Sequence, residues 1–190
     1  MTSAIVYLHG FNSSPQSFKA AQTRDYFSWH FPELQIVIPQ MPFDPQVALS
    51  MARAAIPVNS APAFIGSSMG GFYANILAEE LSARAVLINP AVRPYELLRD
   101  YLGLQVNDTT GEKFTLEERH MLELQRMDTG VPSEPHKRLL LTQTADETLD
   151  FLDAASQFHA SPAIIEYGGN HSFEGYERWL PRIADFLFYQ

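Results

Sequence analysis

There is no cysteine among the 190 residues. That excludes disulfides, zinc ribbons, iron–sulfur clusters and a thiol nucleophile together. Positive charge is scarce too: 13 Lys and Arg stand against 22 Asp and Glu, a formal net charge of −9. A nucleic-acid groove or an anionic membrane surface needs clustered positive charge, so neither is an expected partner. No apolar run approaches the ~18 residues of a membrane span. The first residues enter a strand-like run at once, without a basic segment and a long apolar stretch. No secretory signal is therefore expected, and a cytoplasmic location is the simplest expectation. With 46% hydrophobic and 12% aromatic residues, the chain can nevertheless build a substantial core. Its length suits one domain over residues 1–190.

Short apolar runs alternate with amphipathic stretches. Strands are predicted at 4–9 (AIVYLH), 35–39 (QIVIP), 62–66 (PAFIG), 84–89 (RAVLIN), 138–142 (RLLLT) and 163–167 (AIIEY). Helices are predicted from about 15 to 29, with Ser14 as N-cap, and over 45–56, 69–81, 147–158 and 173–188. Uniformly apolar strands separated by helices imply a parallel sheet of about six strands covered on both faces, an α/β class. Residues 91–137 break the rhythm. They hold a turn signal at 107–111 (NDTTG) and an apparent capping box with Thr115 as N-cap and Glu118 at the third helical position. Met121, Leu124 and Met127 follow at helical spacing. The segment is either an extra surface helix or a cap over a cleft at the strand ends.

Residues 66–70 (GSSMG) match G-x-S-x-G, and only Ser68 fits the frame. An apolar run leads in and a helix-competent run leads out. A sharp strand-to-helix turn needs small neighbours, and it sets the serine at a helix N-terminus, where developing negative charge is favoured. The bland alternative is a glycine-rich turn that binds phosphate or nothing; the P-loop lysine is missing.

A serine hydroxyl needs a base and an orienting acid. Of six histidines, only His171 lies in a glycine-rich loop past the last predicted strand. There it can hang over the carboxyl edge of the sheet, as the order Ser, Asp, His requires. Asp146, the first carboxylate after strand 138–142, is the expected acid; its bland alternative is the N-cap of the next helix, and Asp150 is its rival. Two oxyanion donors are expected: the Met69 N–H after the serine, and the Phe11 N–H in the loop after the first strand. His9 reads as a structural hydrogen-bonder, and Asn12 as a brace or a turn residue. Glu117-x-x-His120 is half of a di-iron motif without its partner, so a solvated helix face is expected and no metal.

HGFNSSP, GSSMGGF, NPAVRPYELL, TADETLD and GGNHSFEGYE together resemble the small bacterial α/β-hydrolases of the YqiA type, within the YqiA/YcfP esterase group. The similarity spans nearly the whole chain. Where such chains often read T-G-D-E, this one has Ala145. The resemblance implies an α/β-hydrolase fold and a serine esterase of acyl esters or thioesters, its nucleophile falling on Ser68, its acid on Asp146 and its base on His171. No cofactor is expected, and the partner is a small-molecule ester or thioester. An acyl-CoA thioesterase is the near alternative, for which Arg93 or Arg99 could supply local positive charge. A non-catalytic small-molecule receptor on the same fold is the more distant one. Arg93 otherwise reads as a structural salt bridge.

Overall fold

The structure is a computed structural model that describes residues 2–107 and 109–189; Met1, Gln190 and Asp108 of the predicted turn lie outside the described residues. In chain order the elements are β1 (Ala4–Leu8), α1 (Phe18–His30), β2 (Gln35–Val37), α2 (Pro45–Ala54), β3 (Pro62–Ser67), α3 (Met69–Glu80) and β4 (Ala85–Ile88). Then come α4 (Pro94–Leu97), β5 (Gly103–Val106), β6 (Lys113–Leu116), α5 (Glu118–Met127), β7 (Arg138–Gln143), α6 (Phe151–Gln157), β8 (Ala163–Glu166) and α7 (Leu180–Phe188). Six strands form one sheet in the order β2-β1-β3-β4-β7-β8, every pair parallel. Parallel pairing places the carboxyl ends of all six strands at one edge. The loops after β1, β3, β4, β7 and β8 therefore gather there, where open α/β sheets bind ligands.

The strands alternate strictly between two cores. Val6, Leu8, Phe64, Leu87 and Leu140 face a layer built by α2, α3, α5 and α6. Ile5, Tyr7, Ile65, Val86, Ile88, Leu139 and Leu141 face α1 and α7. Burying each such side chain contributes about 1.5–3 kcal/mol, so a one-residue slip of register is excluded.

Six sheet strands stand where the sequence puts them; several boundaries do not. The first helix begins at Phe18, not near Pro15, because residues 14–17 form a turn: the Ser17 N–H bonds to the Ser14 carbonyl at 3.0 Å, and the Ser14 hydroxyl accepts from the Gln16 N–H at 3.2 Å. The helix predicted from 147 begins at Phe151, with Asp150 as its N-cap accepting from the Leu152 N–H at 2.9 Å. The last helix starts at Leu180 after a single 3-10 turn, Tyr176–Trp179.

The largest correction lies within 91–137. Thr115 is no helix cap: it sits in β6, which pairs antiparallel with β5 as a hairpin. The real cap runs the other way, with the Glu117 N–H donating to His120 Nδ1 at 2.9 Å. His120 is fully buried, so its face is not solvated. Leu98, Leu116, Met121 and Leu124 carry this segment onto the α2–α3 side of the core. Among the described residues no helix is long and apolar enough to cross a membrane.

Candidate active site

Ser68 ends the turn between β3 and α3 with φ 56° and ψ −122°, a backbone region that L-residues avoid. Its surroundings hold it there. The Ser68 N–H donates to the Ile88 carbonyl at 3.0 Å, and its carbonyl accepts from the Gly71 and Ala91 N–H groups at 2.8 and 3.0 Å. Close packing forces glycine nearby: a Cβ on Gly70 would overlap the Leu8 carbonyl. The turn thus lifts the Ser68 hydroxyl to the carboxyl edge of the sheet.

The loop after β8 brings His171 to it. His171 Nε2 lies 3.1 Å from Ser68 Oγ, and Nδ1 lies 2.8 and 3.0 Å from the two Asp146 oxygens. Asp146 follows β7 and also accepts from the Thr148 and Leu149 N–H groups at 2.8 and 2.9 Å. Burial pushes its carboxyl up, but the hydrogen bonds from His171 and those two amides outweigh this and hold it below the ordinary carboxylate range. Ser68, His171 and Asp146, distant in sequence, are thereby brought together. Asp150 is not part of the group, because it is spent on α6.

Two residues that the sequence did not single out hold the histidine loop. Asn89, buried at the end of β4, donates through Nδ2 to the Asn170 and His171 carbonyls at 3.0 and 3.2 Å and accepts from the Gln143 N–H at 3.0 Å. Gln143, buried at the end of β7, accepts through Oε1 from the Asn170 and Glu174 N–H groups at 3.1 and 2.9 Å. The available signal was a polar residue closing each of two otherwise apolar strands. Glu147 adds a third prop, accepting from the His171 N–H at 2.9 Å.

The loop after β1 lies against the serine: a Cβ on Gly10 would meet Ser68 Cβ at 3.2 Å. His9 is buried beside it. The Met41 N–H donates to His9 Nε2 at 3.0 Å, which leaves the proton on Nδ1, so Nδ1 donates to the Gly10 carbonyl at 2.9 Å. The other end of that peptide unit is the Phe11 N–H. Burial lowers the His9 pKa, with the Gly10 bond opposing, which favours this neutral form. Phe11, Ser68, Met69 and His171 all border a cleft of about 550 Å³ that continues between Leu97, Leu98, Tyr101 and Leu149. On the opposite side, Ser68 and His171 also border a second pocket of about 240 Å³.

The remaining candidates make no contact with the reacting groups, although Asn12 also borders the cleft. Arg93 pairs with Asp153 at 3.0 Å and Glu96 at 3.5 Å, and Arg99 with Glu118 at 2.7 Å. Asn12 has φ 53°, and its carbonyl accepts from the Thr109 hydroxyl at 3.2 Å. His120 Nε2 is 3.7 Å from Asp44, beyond hydrogen-bond reach. Among the described residues no three His, Asp or Glu side chains are arranged to hold a metal ion.

A parallel sheet covered by helices on both faces, with a serine on a strained strand-to-helix turn at its carboxyl edge, defines the α/β-hydrolase fold. Comparison with solved structures agrees. The chain is similar to a candidate hydrolase from Agrobacterium vitis S4 (TM-score 0.78, 18% identity, 98% of this chain and 88% of that one). It is also similar to mouse alpha/beta hydrolase domain-containing protein 10 (0.72, 13%, 97% and 89%) and to Est1E from Butyrivibrio proteoclasticus with ferulic acid bound (0.69, 14%, 98% and 88%). The family model described as "Uncharacterised protein family (UPF0227)", the YqiA family, matches residues 4–188, and the chain belongs to that family.

Proposed function

We propose that this protein is a serine hydrolase of carboxylic esters. The observation that carries the reading is the unbroken hydrogen-bond chain from Ser68 Oγ through the His171 ring to the Asp146 carboxylate. In this reading Ser68 Oγ attacks the acyl carbon while His171 Nε2 takes its proton. Asp146 keeps the Nδ1–H tautomer and stabilises the imidazolium without becoming protonated. The Met69 and Phe11 amides receive the oxyanion, the latter aimed by His9. When the tetrahedral intermediate collapses, the ester C–O bond breaks and His171 returns the proton to the leaving alcohol. Water, deprotonated by His171, then attacks the Ser68 acyl ester and releases the acid.

The cleft flanked by Leu97, Leu98 and Leu149 suits an apolar acyl group, and the first part of the 91–137 segment, from Ala91 to Tyr101, lines it. Thioester cleavage by the same residues gains no support from Arg93 and Arg99, which are both paired with carboxylates. The test is hydrolysis of p-nitrophenyl esters of graded acyl length, beside acyl-CoAs, with Ser68→Ala and His171→Ala as controls. Each substitution is expected to lower kcat by about 10⁴-fold or more while far-UV circular dichroism stays unchanged. Asp146→Asn should be comparably severe; loss in Asp150→Asn alone would overturn the assignment of the acid.

A further inference from the structure

The second pocket at the serine carries, among apolar neighbours, polar side chains that ester cleavage alone does not require. It is bordered by Tyr7, Ser13, Ser17, Lys19 and Ser172 together with Ser68 and His171. Lys19, in the first turn of α1, is half-buried there. Its ammonium has three donors. One is used on the Ser172 carbonyl at 2.8 Å, and among the described residues no carboxylate lies within 4 Å of it. Arg53, Arg93, Arg99, Arg119, Lys137, Arg138 and Arg178 each have a carboxylate partner; among the described basic residues without one, Lys19 is the one that borders the pocket at Ser68. Asp146 attracts Lys19 through space, but its oxygens already serve His171, Thr148 and Leu149. Burial pulls the Lys19 pKa to about 8, against that attraction, so the group is still mostly cationic at neutral pH. A protein of net charge −9 thus keeps an unpaired, partly desolvated cation beside its candidate nucleophile.

We propose that Lys19 is a specificity residue that receives a carboxylate carried on the alcohol portion of the substrate, so that the preferred esters are acylated short hydroxy acids. The inference rests on the serine esterase reading above. The two spaces that meet at Ser68 and His171 divide the substrate: the apolar cleft takes the acyl chain, and the Lys19 pocket takes the leaving group. At about 240 Å³ that pocket holds a volume equal to roughly eight waters at ~30 Å³ each, enough for a short hydroxy acid. The carboxylate would complete the ammonium's donors, with Ser13 and Ser17 at hand as further polar partners. His171 protonates the departing alkoxide as before, and the products are the fatty acid and the hydroxy acid.

The test compares butyryloxyacetate with its neutral counterpart 2-(butyryloxy)acetamide. The readout is the ratio of kcat/KM for the two esters in wild type, Lys19→Gln and Lys19→Arg. Glutamine keeps a donor for the Ser172 carbonyl and loses the charge; arginine keeps the charge. The carboxylate-over-amide ratio is expected to fall about tenfold to a hundredfold in Lys19→Gln and to stay within about threefold of wild type in Lys19→Arg. A ratio that Lys19→Gln leaves within about threefold of wild type overturns the proposal. So does an equal fall in both variants, which would make Lys19 a mere prop of the Ser172 loop. Should neither ester be cleaved in a Ser68-dependent way, the esterase reading fails separately. Calorimetric binding of the same two compounds to Ser68→Ala, with and without Lys19→Gln, then decides the charge preference by itself: loss of preference for the carboxylate supports it, and no change sinks it.

Discussion

Ser68 holds a conformation that costs about 1–3 kcal/mol, and it does so where the hydroxyl is to be presented. Glycine adopts such angles freely but loses about 0.5–1 kcal/mol of chain entropy on folding. Ser68→Gly is therefore expected to be more stable than Ser68→Ala by about 1 kcal/mol, or a rise in Tm of about 2–4 °C for a chain of this size. Both should be inactive. Thermal melts of the two variants check this, and an equal Tm would mean the turn stores no strain. Asn89 works differently, because it touches no reacting atom. Removing its side chain leaves the buried Gln143 N–H and two loop carbonyls without partners, at about 1–3 kcal/mol for a buried group. Asn89→Ala should lose about that much stability by urea titration and lower kcat about tenfold or more, with little change in KM. An effect on KM alone would contradict its role in placing His171.

At the scale of elements, the hairpin of β5 and β6 is coupled to the loop after β1. The Phe114 ring in β6 stacks on Phe43 at 4.4 Å and meets Phe11 edge-on at 5.7 Å, while Thr109 holds the Asn12 carbonyl. Phe114→Leu keeps an apolar side chain but gives up both ring contacts, worth about 0.5–1.5 kcal/mol each. It should reduce kcat for short esters severalfold, a loss read from steady-state kinetics, because the Phe11 amide loses its backing. Unchanged kcat would show the hairpin to be a passive cover. This hairpin was not legible in the sequence. Its strands are four residues each and half-exposed, so they lack the apolar run that made β3, β4 and β7 plain. The pattern of Thr115 and Glu118 then imitated a helix start, and nothing local announces that His120 reaches backward to cap the helix instead. The same limit applies within the site. Ser68, His171 and Asp146 could be read from motif and chain order, because each follows a strand whose end is obvious. Asn89 and Gln143 could not, since their partners are 23 to 82 residues away and only the closed sheet brings them into reach.

Over the whole molecule, both apolar layers share the same strands, alternate residues of each strand serving one side and the other. Neither layer can be lost while the sheet survives, and the 91–137 segment is anchored into one of them. We therefore expect residues 1–190 to unfold as one domain. Far-UV circular dichroism and the fluorescence of Trp179, which packs beside the α1–α7 layer, should report one urea midpoint. A Trp29→Phe background removes the exposed second tryptophan. Two separated midpoints would show that the cap or one face melts independently.

The crowding at Gly66, Gly70 and Gly71 has a practical outcome for anyone wishing to redirect the protein toward other compounds. Mutational libraries aimed at the elbow will return collapsed chains, because every added carbon there strikes main chain or the Pro90 ring. Tolerance lies instead in the two walls that flank it, around Lys19 on one side and Leu97 to Tyr101 on the other. New selectivity is to be sought by redecorating those walls around an untouchable hinge.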